Sequence, residues 1–191
     1  MSAKIGAFIG ALSIVFFIAG SARATSVPAF SFEELTDQSQ LVVSGEITRS
    51  WSDWDSAHKF IWTHHELSVS QSAKGSAGAT VVLSEPGGVI GNRAMSIAGS
   101  VGYRPGDRVL VFLQRMPNGY LRTTGWGQGK YTIDKTGRLH AEAVSHDMQI
   151  VSAQNAGPGR TSLSSLDGVS VAVLRARVAA HLTAQAKGST K

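Results

Sequence analysis

Three histidines, His58, His64 and His65, form the densest group of side chains able to hold a metal or move a proton. A zinc site needs three or four ligands converging on one point. His64 and His65 are adjacent, and on a strand adjacent residues face opposite ways, so only one of them can join a given site. His58 and His64 can meet Glu66 from one face. The run His65-Glu66-Leu67-Ser68-Val69 lacks the second histidine of the zinc-protease helix motif. His140, His146 and His181 are scattered and suggest no site.

Ala98-Gly99-Ser100-Val101-Gly102 imitates the nucleophile elbow of serine hydrolases with Ala in the first position. That elbow needs a strand before the serine and a helix after it. Tyr103-Arg104-Pro105-Gly106 follows instead and cannot start a helix, so a glycine-rich loop is expected. Gly125-Trp126-Gly127-Gln128-Gly129-Lys130 resembles a phosphate loop at a glance. Thr124 stands where its first glycine belongs and Tyr131 where its Ser or Thr belongs. Strand glycines at a bend are expected there. No catalytic residue, metal ligand or cofactor site is assigned.

The tryptophans are more informative. Trp51 and Trp54 flank a polar turn that also carries Asp53 and Asp55. Exposed indoles stack on sugars, bases or apolar partner surfaces, at about 1–3 kcal/mol per base where measured. Trp62 and Trp126 are expected in the core. The candidate binding surface is Trp51, Asp53, Trp54 and Asp55, joined by Arg93 and Tyr103 from a long glycine-bearing loop at 86–106. That loop is too long for a plain connector.

The elements that position these residues follow from periodicity. Lys4, the apolar run Ile5 to Gly20 and the small-x-small pattern Ala22-Arg23-Ala24 have the layout of a secretory signal peptide. The run is shorter than the ~20 residues of a membrane span. Removing it takes away Lys4 and Arg23, so the net charge of +5 falls by two. Such mild basicity argues against nucleic acid as the partner. No later apolar run predicts a transmembrane segment. The chain has no Cys, which excludes disulfides, thiol nucleophiles and thiolate metal sites.

Ser31-Phe32-Glu33-Glu34 is a capping box and predicts a helix over 31–40. Strands are expected over 41–50, 60–71, 80–84, 108–115, 120–124, 130–133 and 138–141, with a turn at 51–58. Along 60–71, Ile61, Thr63, His65, Leu67 and Val69 share one face, and Phe60, Trp62, His64, Glu66 and Ser68 the other. Residues 143–163 read as irregular, around Asn155-Ala156-Gly157-Pro158-Gly159. A helix is expected from Ser164, with Asp167 in the capping-box position and Val171, Leu174, Val178 and Leu182 on one face.

The expected fold is mainly β: a small antiparallel barrel of five to seven strands, with a short N-terminal helix and a C-terminal helix. A sandwich is the alternative. The expected division is a signal peptide at 1–24, a β-barrel domain at 25–160, and a C-terminal helix and tail at 161–191.

The succession of motifs carries a resemblance. It runs from Phe32-Glu33-Glu34-Leu35 through Leu41-Val42-Val43-Ser44-Gly45-Glu46-Ile47 to Ala73-Lys74-Gly75. It continues with Pro86-Gly87-Gly88, the Arg104-Pro105-Gly106-Asp107 to Leu113 block, and Gly127-Gln128-Gly129-Lys130-Tyr131. Over residues 31–134 this resembles a widespread group of exported bacterial β-rich domains with no established activity. More distantly it is similar to the barrel of netrin-like domains and of tissue inhibitors of metalloproteases. Those barrels belong to the oligonucleotide/oligosaccharide-binding type. The inhibitors use an N-terminal Cys and disulfides, which this chain lacks, so the resemblance implies barrel topology and not inhibition.

The functional expectation is an exported, non-enzymatic module of the bacterial envelope, periplasmic or extracellular. It would bind a protein or a glycan through the 51–58 turn or the 86–106 loop. The alternatives are a metal-dependent or serine hydrolase, and a binder of glycans or single-stranded nucleic acid.

Overall fold

A computed structural model describes residues 25–142, 148–151 and 163–188. The signal-peptide expectation, the Asn155 to Gly159 stretch and His146 lie outside the described residues. The strands are β1 (Thr25–Pro28), β2 (Leu41–Trp54), β3 (Ile61–Lys74), β4 (Thr80–Pro86), β5 (Gly88–Ile90) and β6 (Arg93–Met95). They continue with β7 (Arg108–Arg115), β8 (Leu121–Thr123), β9 (Lys130–Ile133), β10 (Leu139–Ala141) and β11 (Met148–Val151). Two helices, α1 (Phe32–Gln38) and α2 (Val171–Gly188), flank them. The protein is thus mainly β with a terminal helix. Among the described residues no helix is long and apolar enough to cross a membrane.

Seven strands form one sheet in the order β10-β9-β7-β2-β3-β4-β8, and β8 pairs with β7 as well as with β4. The pairings β7–β2–β3–β4–β8–β7 therefore run in a ring. The sheet is mixed, which corrects the expectation of purely antiparallel pairing. Leu121 on β8 lies parallel to Leu83 on β4. β8 is only three residues long and leaves β7 by a tight turn, so it reaches β4 running the same way. Separately, β1 pairs with β11 in parallel, and β5 with β6 as a hairpin.

β7 is the central strand, buried from Val109 to Leu113. Its alternate residues feed two cores, because side chains on a strand alternate faces. Val109, Val111 and Leu113 pack inside the ring with Val43, Ile47, Leu67 and Leu83. Leu110 and Phe112 pack outside it with Phe32 and Leu35 of α1, Tyr131, and Leu174 and Val178 of α2.

α1 starts where its capping box places it: Glu34 N–H donates to Ser31 Oγ, and Ser31 N–H to the Glu34 carboxylate. α2 departs from expectation. Residues Leu163–Leu166 form a short 3-10 turn, and the helix begins at Val171. Gly168 takes a φ of +74°, which breaks the chain between the two. Asp167 accepts from the Ala141 amide instead of capping a helix. Leu174 and Val178 are buried as their spacing requires, with Val171 and Leu182 partly buried beside them.

β2 and β3 also extend further than expected. Strand β2 continues through Trp51 to Trp54, which pairs with Ile61, so the connecting turn spans only 55–60. Asp55 closes that turn, its Oδ1 accepting from the Lys59 and Phe60 amides at 2.7 and 3.1 Å. Those bonds hold its carboxyl below the usual range. Lower on the ribbon, Gly45 lets the strands approach: a Cβ there would sit 1.9 Å from the Ser68 carbonyl oxygen. The register shifts beside Gly45, marking a bulge that bends β2 between its two neighbours.

Candidate functional site

The long β2–β3 ribbon has two faces, and each presents a different chemistry. On the outer face, Trp51 pairs directly with His64, ring centroids 5.4 Å apart. His64 meets Tyr120 edge-on at 5.3 Å, Tyr120 meets Trp62 at 5.1 Å, and Trp62 meets Phe60 at 5.4 Å. All five rings are half-buried. They form one continuous aromatic strip, within the 4.5–7 Å range of ring pairs. At one end the Arg49 guanidinium lies 4.4 Å from the Trp51 ring centre and 3.0 Å from the Glu66 carboxylate. His64 Nδ1 shares a 2.7 Å hydrogen bond with Ser84 Oγ, and burial pushes its pKa down.

At the hairpin tip Trp54 stacks on His58 with centroids 6.4 Å apart, and Arg93 of β6 reaches to 5.9 Å from Trp54. His58 has a φ of +54°, a left-handed conformation uncommon outside glycine. Asp53 is exposed beside them, with Oδ1 accepting from the Trp54 amide. The six residues singled out on sequence thus separate. Trp51 belongs to the strip. Trp54, Arg93 and Asp53 lie at the tip, where Asp55 closes the turn. Tyr103 is only 6% exposed and sits in the inner core, because the loop carrying it folds back over the ring. Trp62 and Trp126, expected in the core, are both half-buried. Trp62 lies on the solvent side of the ribbon, and Trp126 lies under the Arg122 guanidinium at 4.5 Å.

Sequence reasoning missed Phe60, Trp62, His64 and Tyr120 as members of the strip. The first three were legible, since strand alternation puts them on one face. Tyr120 was not, because it arrives just before β8 from a distant part of the chain.

On the inner face a cavity of about 440 Å³ opens beneath the 86–106 segment, lined among others by Thr63, His65, Glu85, Ser100 and Tyr103. Gly88 shapes this region: a Cβ there would lie 2.4 Å from Thr63 Oγ1 and 2.6 Å from Ser52 Oγ. Glu85 is 1% exposed. Its Oε1 accepts from the Thr123 amide at 2.9 Å. Its Oε2 lies 3.5 Å from the Arg122 guanidinium and has no hydrogen-bond partner. Burial pushes its pKa up. His65 is 3% exposed, with its ring 5.0 Å from that of Tyr103. Burial, with the nearby Lys130 charge second, lowers its pKa to about 4, so it is neutral at physiological pH.

Ser100, His65 and Glu85 share this cavity, yet they form no nucleophile–base–acid chain. Ser100 Oγ donates to the Pro86 carbonyl at 2.6 Å. His65 Nδ1 pairs with Ser50 Oγ at 2.7 Å. A charge relay needs these bonds to run between the three side chains. Among the described residues no three His, Cys, Asp or Glu side chains converge as a metal site would require. His58 stacks at the hairpin tip, while His64 and Glu66 are engaged by Ser84 and Arg49.

Comparison of the chain with models of protein families, with curated proteins and with solved structures found no match.

Proposed function

We propose that this protein is an exported, non-enzymatic binding module whose aromatic strip recognises a neutral carbohydrate chain. The observation that carries this reading is the unbroken run Trp51, His64, Tyr120, Trp62 and Phe60 on the outer face of one ribbon. Half-buried rings held by their neighbours offer flat apolar faces at little entropic cost, which suits the C–H faces of pyranose rings.

Charge favours sugar over nucleic acid. The one cation of the strip, Arg49, already bridges to Glu66. Asp53 and Asp55 offset Lys59 and Arg93 at the tip. A phosphate backbone is gripped by surplus Lys and Arg, and that surplus is missing here. The ring of pairings supports the finer reading of a small closed barrel of the oligonucleotide/oligosaccharide-binding type. Export through the N-terminal signal-like segment to the periplasm or medium fits a polysaccharide target.

The test is retention on a panel of envelope and storage polysaccharides, with wild type, Trp51→Ala and Trp62→Ala compared. Wild type should be retained, and each truncation should weaken binding about tenfold or more, in line with stacking of about 1–3 kcal/mol per ring. Retention that is unchanged by both truncations would remove the strip as the binding surface. Preferential binding of oligonucleotides with a steep salt dependence would favour the nucleic-acid alternative.

A further inference from the structure

Where the first turn of α2 meets the outer face of the sheet, a second cavity of about 390 Å³ opens. Ser44 and Glu46 of β2, Arg108 of β7 and Arg175 of α2 line it. Ser44 is 5% exposed, and what remains open of it faces this cavity. It shares a face of β2 with Val42, which packs in the outer core under α2. Among the described residues nothing hydrogen-bonds to its hydroxyl, although a buried hydroxyl is normally paired. That oxygen is not sealed in, since the enclosed side-chain atoms without a partner are Glu85 Oε2 and Arg122 Nε.

The groups around Ser44 are rich in unspent donors. Arg175 donates to Gln71 Oε1 at 3.2 Å, and Arg108 to the Asp134 carbonyl at 3.1 Å. Both acceptors are neutral, and among the described residues the ion pairs are made by other side chains. In the first turn of α2 the Val171 amide donates to the Gly137 carbonyl and the Val173 amide to Ser170 Oγ. The Ala172 amide between them is one of the first-turn donors that a helix cannot satisfy from within. The helix dipole adds partial positive charge at this end, and no acid in the first turn offsets it. The acid of the cavity is Glu46, exposed and opposite Arg108 in the β2–β7 register. Two guanidiniums against one carboxylate leave one positive charge to be balanced.

We infer that this cavity binds a small organic monocarboxylate. The carboxylate is held by the Arg108 and Arg175 guanidiniums and the Ser44 hydroxyl, with an apolar body against Ile133 and Val171. A guanidinium presents a planar fork that matches a carboxylate, and the bonds are charge-assisted. A single negative charge suits the balance of the lining, whereas a phosphate dianion exceeds it. The volume accommodates a ligand of benzoate's size.

This inference stands apart from the carbohydrate reading, because neither Trp51 nor Trp62 lines the cavity. The test is an NMR titration at pH 7 with benzoate, with its neutral isostere benzamide, and with inorganic phosphate. Benzoate should bind at least about tenfold more tightly than benzamide and move the Ser44 and Ala172 amide signals. Ser44→Ala should weaken benzoate about fivefold, the loss of one hydrogen bond. Arg175→Gln should erase the preference for benzoate over benzamide; Arg175 is exposed, so this variant covers the case that Ser44→Ala does not fold. Equal binding of benzoate and benzamide overturns the inference, as does no binding of benzoate. So does a preference kept by Arg175→Gln, binding unchanged by folded Ser44→Ala, or tighter binding of phosphate than of benzoate.

Discussion

At the scale of single residues, the most consequential feature is a set of ionisable groups placed in the interior. His65 and Glu85 face the same cavity, and both pay for desolvation, with opposite consequences for pH. The folded-state pKa of His65 is about 4 against 6.5 for the free side chain. Between those values the unfolded chain takes up a proton that the folded protein refuses. Stability due to His65 is therefore complete above pH 6.5 and is lost as pH falls toward 4, by on the order of 2 kcal/mol after allowing for partial solvent access. Glu85 acts the other way, since its raised pKa lets the folded state bind a proton first as pH falls. His65→Gln separates the two: the difference in denaturation midpoint between variant and wild type should shrink or reverse on moving from pH 7 to pH 4. A difference that is flat with pH would contradict the buried, neutral assignment. Little of this site could be read from the chain. Alternation put His65 on the apolar face of β3, but the Glu85-Pro86-Gly87-Gly88 run reads as a strand break. The partners that bury Glu85 lie some 38 residues away, at Thr123.

At the scale of elements, local signals were reliable where one physical preference acted alone. The capping box of α1, the alternation along β3 and the apolar run Val109 to Leu113 of β7 all match. The start of α2 does not, because Gly168 takes a left-handed conformation that serine and aspartate capping signals cannot override. The outer extension of β2 was obscured by polar residues, since Ser50, Ser52 and Asp53 look like a turn until Trp51 and Trp54 find His64 and Ile61 opposite. The element most exposed to mutation is the bulge in β2. Gly45→Ala would place a methyl 1.9 Å from a backbone oxygen, so a strand must move. The expected cost is about 3 kcal/mol, the upper end for overpacking, read as a fall in thermal midpoint. Gly78→Ala is the control: its new carbon would lie 3.8 Å from the Thr80 carbonyl oxygen, an ordinary contact, and the midpoint should barely change. Equal midpoints for the two variants would mean that the ribbon is less tightly paired at Gly45 than described.

At the scale of the whole molecule, a strand order was not readable from sequence even where the strands were. Ring-like pairing depends on β8, three residues long, meeting β7 on one side and β4 on the other. The antiparallel meeting with β7 is signalled by the Pro117-Asn118-Gly119 turn, but the parallel meeting with β4 has no local signature, because it joins segments far apart in the chain. What the pairings produce is one sheet serving two cores, divided by β7. Without disulfides to tie segments together, removal of that strand leaves neither half with enough covered surface to persist. Limited digestion by a broad-specificity protease should therefore be all-or-none for the body of the sheet: trimmed ends and an intact remainder, or small peptides. A long-lived fragment containing β2 and β3 but cut within β7 would show that the two cores hold independently.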